Sequence, residues 1–309
     1  MRRFALLSLA LLLAGCGGDR GGSADGGAGT DSGLSGRIQI DGSSTVAPFA
    51  TAAAEGFRAD NSGVQITVGV SGTGGGFERF CRGETDISDA SREIEEDEAA
   101  ACSAKGIEYD EVQVANDALT VVVNPDNDWA DCLTVEQLKK IWDRGSEAKS
   151  WKDVDASFPD VDLKLYGPGT DSGTFDYFTS VINGEEGQSR SDYSASEDDN
   201  VIVQGVSGDE GALGYFGLSY YEQNKDTLKP VAVDGGGGCV EPTVDTAQSG
   251  EYVPLSRPLF MYVKSDALAR PEVKSFLGYV LDNEREIAQQ AQFVPLTDEQ
   301  LQQAKDALG

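Results

Sequence analysis

The chain has no histidine, only 2 methionines, and 24 lysines and arginines against 53 aspartates and glutamates in 309 residues. Without histidine a serine–histidine–aspartate triad cannot be built, and the commonest zinc ligand is missing. The 5 cysteines do not make up for it, since no two stand at the close spacing of a metal site. No metal and no cofactor are therefore expected. The formal net charge of −29 repels nucleic acid and anionic lipid headgroups alike. It also repels small anions at long range, although salt screens exposed charges beyond roughly 8–10 Å. Acidity of this degree fits a saline habitat. Internal repeats and coiled-coil heptads are lacking. Long apolar runs are scarce too: Phe4–Leu13, about ten residues, is too short to stay in a bilayer as a spanning helix.

That run follows Arg2 and Arg3 and is followed by Leu13-Ala-Gly-Cys16, the layout of an export signal. The tetrapeptide resembles the lipobox of bacterial lipoproteins. The expectation is a signal peptide over 1–15 and a lipidated Cys16; the other reading is a plain signal with a chance cysteine. Residues 16–36 are rich in Gly, Ser and Asp and read as a flexible tether. Four cysteines remain: Cys81, Cys102, Cys132 and Cys239. An even number outside the cell suggests two disulfides, for which three pairings exist. Joining Cys81 to Cys102 and Cys132 to Cys239 keeps each bridge within one expected lobe.

From Arg37 the pattern alternates strand and helix. Arg37–Ile40 and Val64–Val70 read as strands, and Pro48–Phe57, Phe77–Cys81 and Glu95–Ala104 as helices. Such alternation implies a parallel sheet covered on both faces. Val112–Val123 is a longer β-prone stretch broken at Asn116-Asp117, as a strand crossing between two domains would be. Beyond it, helices are expected at 135–142, capped by Thr134, and at Phe175–Ile182, Asn200–Val206 and Leu218–Asn224. Strands are expected at Val161–Tyr166, Ala212–Phe216, Leu228–Val233 and Leu259–Val263. Helices then follow at Pro271–Leu281, Glu284–Gln292 and 298–308, the last capped by Thr297.

Two segments carry the functional signal. Ser71-Gly-Thr-Gly-Gly-Gly76 and Thr170-Asp-Ser-Gly-Thr174 each end where an apolar helix is expected to begin. Hydroxyls and free N–H groups at a helix start form a socket for a small anion. Plainer roles are open to the same residues: Ser44 and Thr45 also serve as caps for the helix that Pro48 opens, and the three glycines Gly74 to Gly76 also make a tight turn. Phe77, Phe80, Phe175, Tyr177 and Phe178 read as lobe core, as do Trp129, Trp142 and Trp151.

Taken together, Asp41-Gly-Ser-Ser-Thr-Val-Ala-Pro48, Val70-Ser-Gly-Thr-Gly-Gly-Gly-Phe77, Gly83-Glu-Thr-Asp-Ile-Ser-Asp-Ala-Ser-Arg92 and Gly167-Pro-Gly-Thr-Asp-Ser-Gly-Thr-Phe175 resemble the phosphate-binding lipoproteins of bacterial high-affinity phosphate import. Ala212–Gly217 and Pro254–Leu259 fit the same family, so the resemblance runs from Arg37 to the C-terminus. It implies an α/β, two-lobed periplasmic-binding-protein fold of type II, each lobe a mixed sheet flanked by helices, with the ligand in the cleft. The lobes would be 37–117 with 254–309, and 118–253. The implied ligand set is Ser44, Thr45, the Val46 N–H, Thr73 with Ser71 beside it, Gly74, and Ser172, Gly173 and Thr174. The chain departs from the best-known form at two places. Pro168 stands where that form has its arginine, and Ser91 where it has its carboxylate, followed at once by Arg92. Arg92 is then the expected cation, with Arg257 in reserve; otherwise Arg92 is a surface arginine pairing with Glu93, Glu95 or Glu96, and Arg257 a hinge ion pair. The carboxylate role is open between Asp171 and Asp89. Asp171 could instead only cap the helix that follows it.

The resemblance implies a monomeric, extracytoplasmic, lipid-anchored receptor that passes inorganic phosphate to the permease subunits of an ABC transporter. Rival readings are a receptor for sulfate or molybdate, a secreted phosphatase with Ser44 or Ser172 as nucleophile, and a surface lipoprotein without a ligand. The phosphatase lacks a histidine, a lysine partner and a metal cluster.

Overall fold

The computed structural model describes residues 33–170 and 172–309. The signal peptide, Cys16, the tether up to residue 32 and Asp171 lie outside the described residues. Twelve strands occur among the latter: β1 (Gly36–Gly42), β2 (Val64–Val70), β3 (Ile87–Ala90), β4 (Tyr109–Val123), β5 (Cys132–Thr134), β6 (Lys164–Gly167), β7 (Ser194–Ala195), β8 (Ala212–Gly217), β9 (Lys229–Pro230), β10 (Ala232–Asp234), β11 (Cys239–Val240) and β12 (Ser256–Lys264). Nine form one sheet in the order β2-β1-β3-β12-β4-β8-β6-β7, with β9 also on β4, and β11-β10-β5 form a small second sheet.

The main sheet is mixed rather than parallel. β1 runs parallel to β2 and β3, β6 parallel to β7 and β8, but β12 is antiparallel to β3 and β4, and β4 to β8. Alternation of helix and strand revealed the parallel units. It could not reveal that β12, read as a strand at Leu259–Val263, inserts antiparallel between β3 and β4 from far along the chain.

β4 is the spine. Its first part pairs with β12 and its last residues, from Leu119, with β8. It is not interrupted at Asn116-Asp117. Pro258, which has no N–H, stands opposite Asn116, and the Asn116 main chain exchanges two hydrogen bonds of 2.9 Å with Val294 instead. Asp117 pairs across the strands with Arg257.

Side-chain alternation along the strands divides the interior. One core gathers Ile38, Phe49, Val114, Met261 and Phe276. Another gathers Leu119, Trp142, Trp151, Phe178 and Tyr215. Val122, Ile202, Phe216 and Val294 pack on the opposite face of β4. Phe77, Phe80 and Tyr262 form a fourth group beside the Cys81–Cys102 disulfide, and Cys132 is joined to Cys239.

Two expected elements change shape. The helix read as Phe77–Cys81 begins at Gly72, so the glycine run is its opening turn rather than a loop. A Cβ on Gly76 would stand 2.5 Å from the Gly42 Cα; the glycine lets helix and strand touch. The strand read as Leu228–Val233 splits into β9 and β10, because Pro230 cannot donate to a ladder. Thr134 and Thr297 cap their helices, each accepting an N–H at 3.1 Å.

Candidate functional site

The loop after β1, Ser43–Val46, enters the helix Ala47–Asp60, whose first turn contains Pro48. Ser43 donates its N–H to the Asp89 carbonyl at 2.9 Å, and Ala47 donates to the Ser43 carbonyl at 3.1 Å. Among the described residues the N–H groups of Ser44, Thr45 and Val46 have no protein acceptor. They are the orphan donors of a helix start. In the other half, Ser172 follows β6 and caps the helix Gly173–Phe178, its Oγ accepting the Thr174 N–H at 3.2 Å.

These two helix starts meet. A Cβ built on Gly173 would stand 3.5 Å from Thr45 Oγ1, at ordinary van der Waals distance, which places the two segments side by side. Beside them lies a cavity of about 160 Å³ lined by Ser44, Thr45, Asp117, Gly173 and Thr174, together with Asp199, Tyr220 and Gln292.

Arg257 joins the pieces. From β12 its Nε donates to Asp117 Oδ2 at 3.1 Å and its Nη2 to Thr45 Oγ1 at 2.9 Å. The guanidinium carbon lies 3.6 Å from the centroid of the Tyr177 ring, close enough for a cation–π contact. Tyr177 is itself held by donating its hydroxyl to the Pro254 carbonyl at 2.7 Å. Nη1 of Arg257 has no protein partner among the described residues. Burial pushes the Asp117 carboxyl above the usual carboxylate range, while Arg257 pulls it back. Burial and the nearby Asp198 and Glu197 push Asp199 up to about 6.

The other anticipated residues form a separate cluster. Ser71 donates its hydroxyl to Asp41, which also accepts from Arg79 Nη1. Thr73 Oγ1 lies 3.1 Å from Ser91 Oγ and accepts the Ser91 N–H at 3.3 Å. Arg92 makes a bidentate pair with Glu98, both bonds 2.8 Å, and approaches Glu95 at 3.3 Å. Gly74 lies beside this pair. The guanidinium whose donors reach Thr45 is therefore that of Arg257, not Arg92. Asp89 is fully buried, and neither of its carboxylate oxygens has a hydrogen-bond partner among the described residues. Burial, then the neighbouring Asp41, pushes its carboxyl well up. The Val46 side chain is core; only its N–H faces the loop.

Asp117, Asp199, Tyr220 and Gln292 were not foreseen as site residues, and Tyr177 only as core. Asp117 carried a signal: a carboxylate inside an apolar strand is costly unless paired. Gln292 is the one non-glycine residue with positive φ, 63°, among the described residues, which no sequence pattern announces.

A family model described as a PBP superfamily domain matches residues 26–284. The chain is 50% identical to Protein SphX of Synechococcus elongatus over 84% of this chain and 77% of that protein. It is 44% identical to the phosphate-binding protein PstS of Staphylococcus saprophyticus, over 94% of this chain and 88% of that one. Its fold is similar to the crystal structure of a possible phosphate binding protein from Planctomyces limnophilus, with a TM-score of 0.86 and 47% identity over 89% of this chain and 98% of that chain.

Proposed function

This chain belongs to the PBP, or periplasmic-binding-protein, superfamily and to its SphX- and PstS-like members, and from that premise we propose that it captures inorganic phosphate outside the cytoplasm and delivers it to an ABC transporter. The role is that of a receptor and not of an enzyme. The observation that carries it is the meeting of two helix starts at one arginine: Thr45 and Gly173 line the same cavity, and Arg257 bonds Thr45.

Chemically the site suits a tetrahedral dianion. The N–H groups of Thr45 and Val46, the hydroxyls of Ser44, Thr45, Ser172 and Thr174, and the free Nη1 of Arg257 all donate, and charge-assisted bonds are the strong ones. Asp117 and Tyr177 hold the guanidinium in place before the ligand arrives, so little ordering cost remains at binding. Thr73, Ser71, Gly74, Asp89 and Arg92 do not line this cavity, and Ser71, Thr73 and Arg92 engage Asp41, Ser91 and Glu98 instead. We take the lobes as 37–117 with 254–309, and 118–253, a division that the separate cores around Met261 and Trp142 support. Leu13-Ala-Gly-Cys16 supports a lipid anchor at Cys16, and the permease subunits would meet the rims of both lobes.

Isothermal titration of the phosphate-stripped protein tests this directly. The wild type should bind one phosphate, and Arg257→Met should lose about 2–5 kcal/mol, at least thirtyfold in affinity. A chromogenic phosphomonoester should not be turned over. Stripped protein that ignores phosphate ends the reading.

A further inference from the structure

Four helices among the described residues end in the same way. In each, one N–H bonds to a carbonyl three residues earlier, and the next N–H reaches five residues back. The first of those two residues takes a left-handed backbone. For the helix Gly72–Cys81 the bonds run from Gly83 to Phe80 and from Glu84 to Arg79, at 2.8 and 3.1 Å. For Glu96–Ala104 they run from Gly106 to Ser103 and from Ile107 to Cys102, both 3.0 Å. For Val244–Ser249 they run from Gly250 to Ala247 and from Glu251 to Thr246, at 3.3 and 3.1 Å. Glycine holds the left-handed position in all three, with φ of 78°, 69° and 73°, since it has no Cβ to clash.

The helix Glu284–Gln290 departs from this. Its bonds run from Gln292 to Gln289 and from Phe293 to Ala288, at 3.1 and 2.8 Å, and Gln292 takes φ 63°. A side chain in that conformation carries a steric cost that glycine avoids. Val294, bonded both ways to Asn116 at 2.9 Å, fixes the chain just beyond the turn. A residue held in such a conformation points to a use for its side chain. Location sets this helix end apart from the other three. Gln292 lines the cavity together with Thr45, Gly173 and Thr174, whereas Gly83, Gly106 and Gly250 do not. Its side-chain amide has no protein partner among the described residues and offers two N–H donors and a carbonyl acceptor.

We propose that the Gln292 side-chain amide is a further phosphate-binding group of this cleft, donating an N–H to an oxygen of the anion. This rests on the reading that the cleft takes phosphate. The left-handed turn brings the amide to the cavity at a cost in stability. Stability and affinity should therefore move in opposite directions when the side chain is removed.

Two measurements on the phosphate-stripped protein test this: urea unfolding, and titration calorimetry with inorganic phosphate at pH 7.5. In Gln292→Gly the urea midpoint should rise, because glycine relieves the turn. The dissociation constant should rise as well, by about tenfold or more, for one lost hydrogen bond to a charged group. Gln292→Glu keeps the side-chain length and the turn but exchanges the donors for a carboxylate. Its midpoint should match wild type, and its dissociation constant should exceed that of Gln292→Gly. An unchanged dissociation constant in Gln292→Gly would overturn the proposal, as would a Gln292→Glu variant that binds like wild type. Stability and affinity lost together in Gln292→Gly would mark a purely structural role and overturn it too. Wherever wild type binds phosphate, those outcomes sink this proposal alone; wild type that binds none sinks the underlying reading as well.

Discussion

At the scale of single residues the molecule places charge inside and gives each buried charge a job or a cost. Arg257 and Asp117 satisfy each other across β12 and β4, so the pair survives burial. Glu284 shows the cost. It is 2% exposed and accepts the Leu296 N–H at 2.8 Å, and burial pushes its carboxyl up to about 7. Its folded pKa lies above that of the unfolded chain, so the native state binds the extra proton. Its stabilising share is therefore complete below the unfolded value of about 4.3 and is lost as pH rises through about 7. Glu284→Gln keeps an acceptor for Leu296 and removes the charge. Urea unfolding should find the variant and wild type alike at pH 4.5, and the variant more stable by on the order of 2 kcal/mol at pH 8.5. A gap that does not change with pH would contradict this.

At the scale of elements, glycine decides how closely helix and sheet approach. The run Gly74 to Gly76 suggested backbone close to an anion; in the structure Gly76 lies against Gly42 of β1. The compositional signal was sound, since only glycine fits such an approach, but nothing local says what is approached. Gly76→Ala should cost about 1–3 kcal/mol as an overpacked contact, read as a lower urea midpoint. Gly145→Ala, where nothing lies within 4 Å, should leave the midpoint in place. Equal midpoints for both would show that the helix can shift freely. Helix caps were legible for the opposite reason. Thr134 and Thr297 bond to N–H groups three residues on, and such contacts are written in neighbouring letters.

At the scale of the whole molecule the charge of −29 sets the approach of an anionic ligand. Repulsion acts over the Debye length, about 10 Å at 0.1 M salt and about 30 Å at 0.01 M. Stopped-flow association of phosphate should accelerate as sodium chloride is raised from 10 to 200 mM, because screening weakens a repulsive field. A rate that falls with salt would mean that a local positive field around Arg257 outweighs the surface.

Residue types and short spacings were enough to exclude histidine chemistry, to set helix and strand over most of the chain, and to place Thr45 and Ser172–Thr174 at helix starts. The choice of cation was a different kind of question. Arg92 and Arg257 are both arginines beside plausible partners, and only the packed chain shows that Glu98 occupies one while β12 carries the other to Thr45. The same return of β12 turned an apparent break at Asp117 into an ion pair within an unbroken strand. Local pattern reports what a segment prefers through its own hydrogen bonds and side-chain period; which charges become neighbours depends on contacts between distant segments, and those exist only once the sheet has closed.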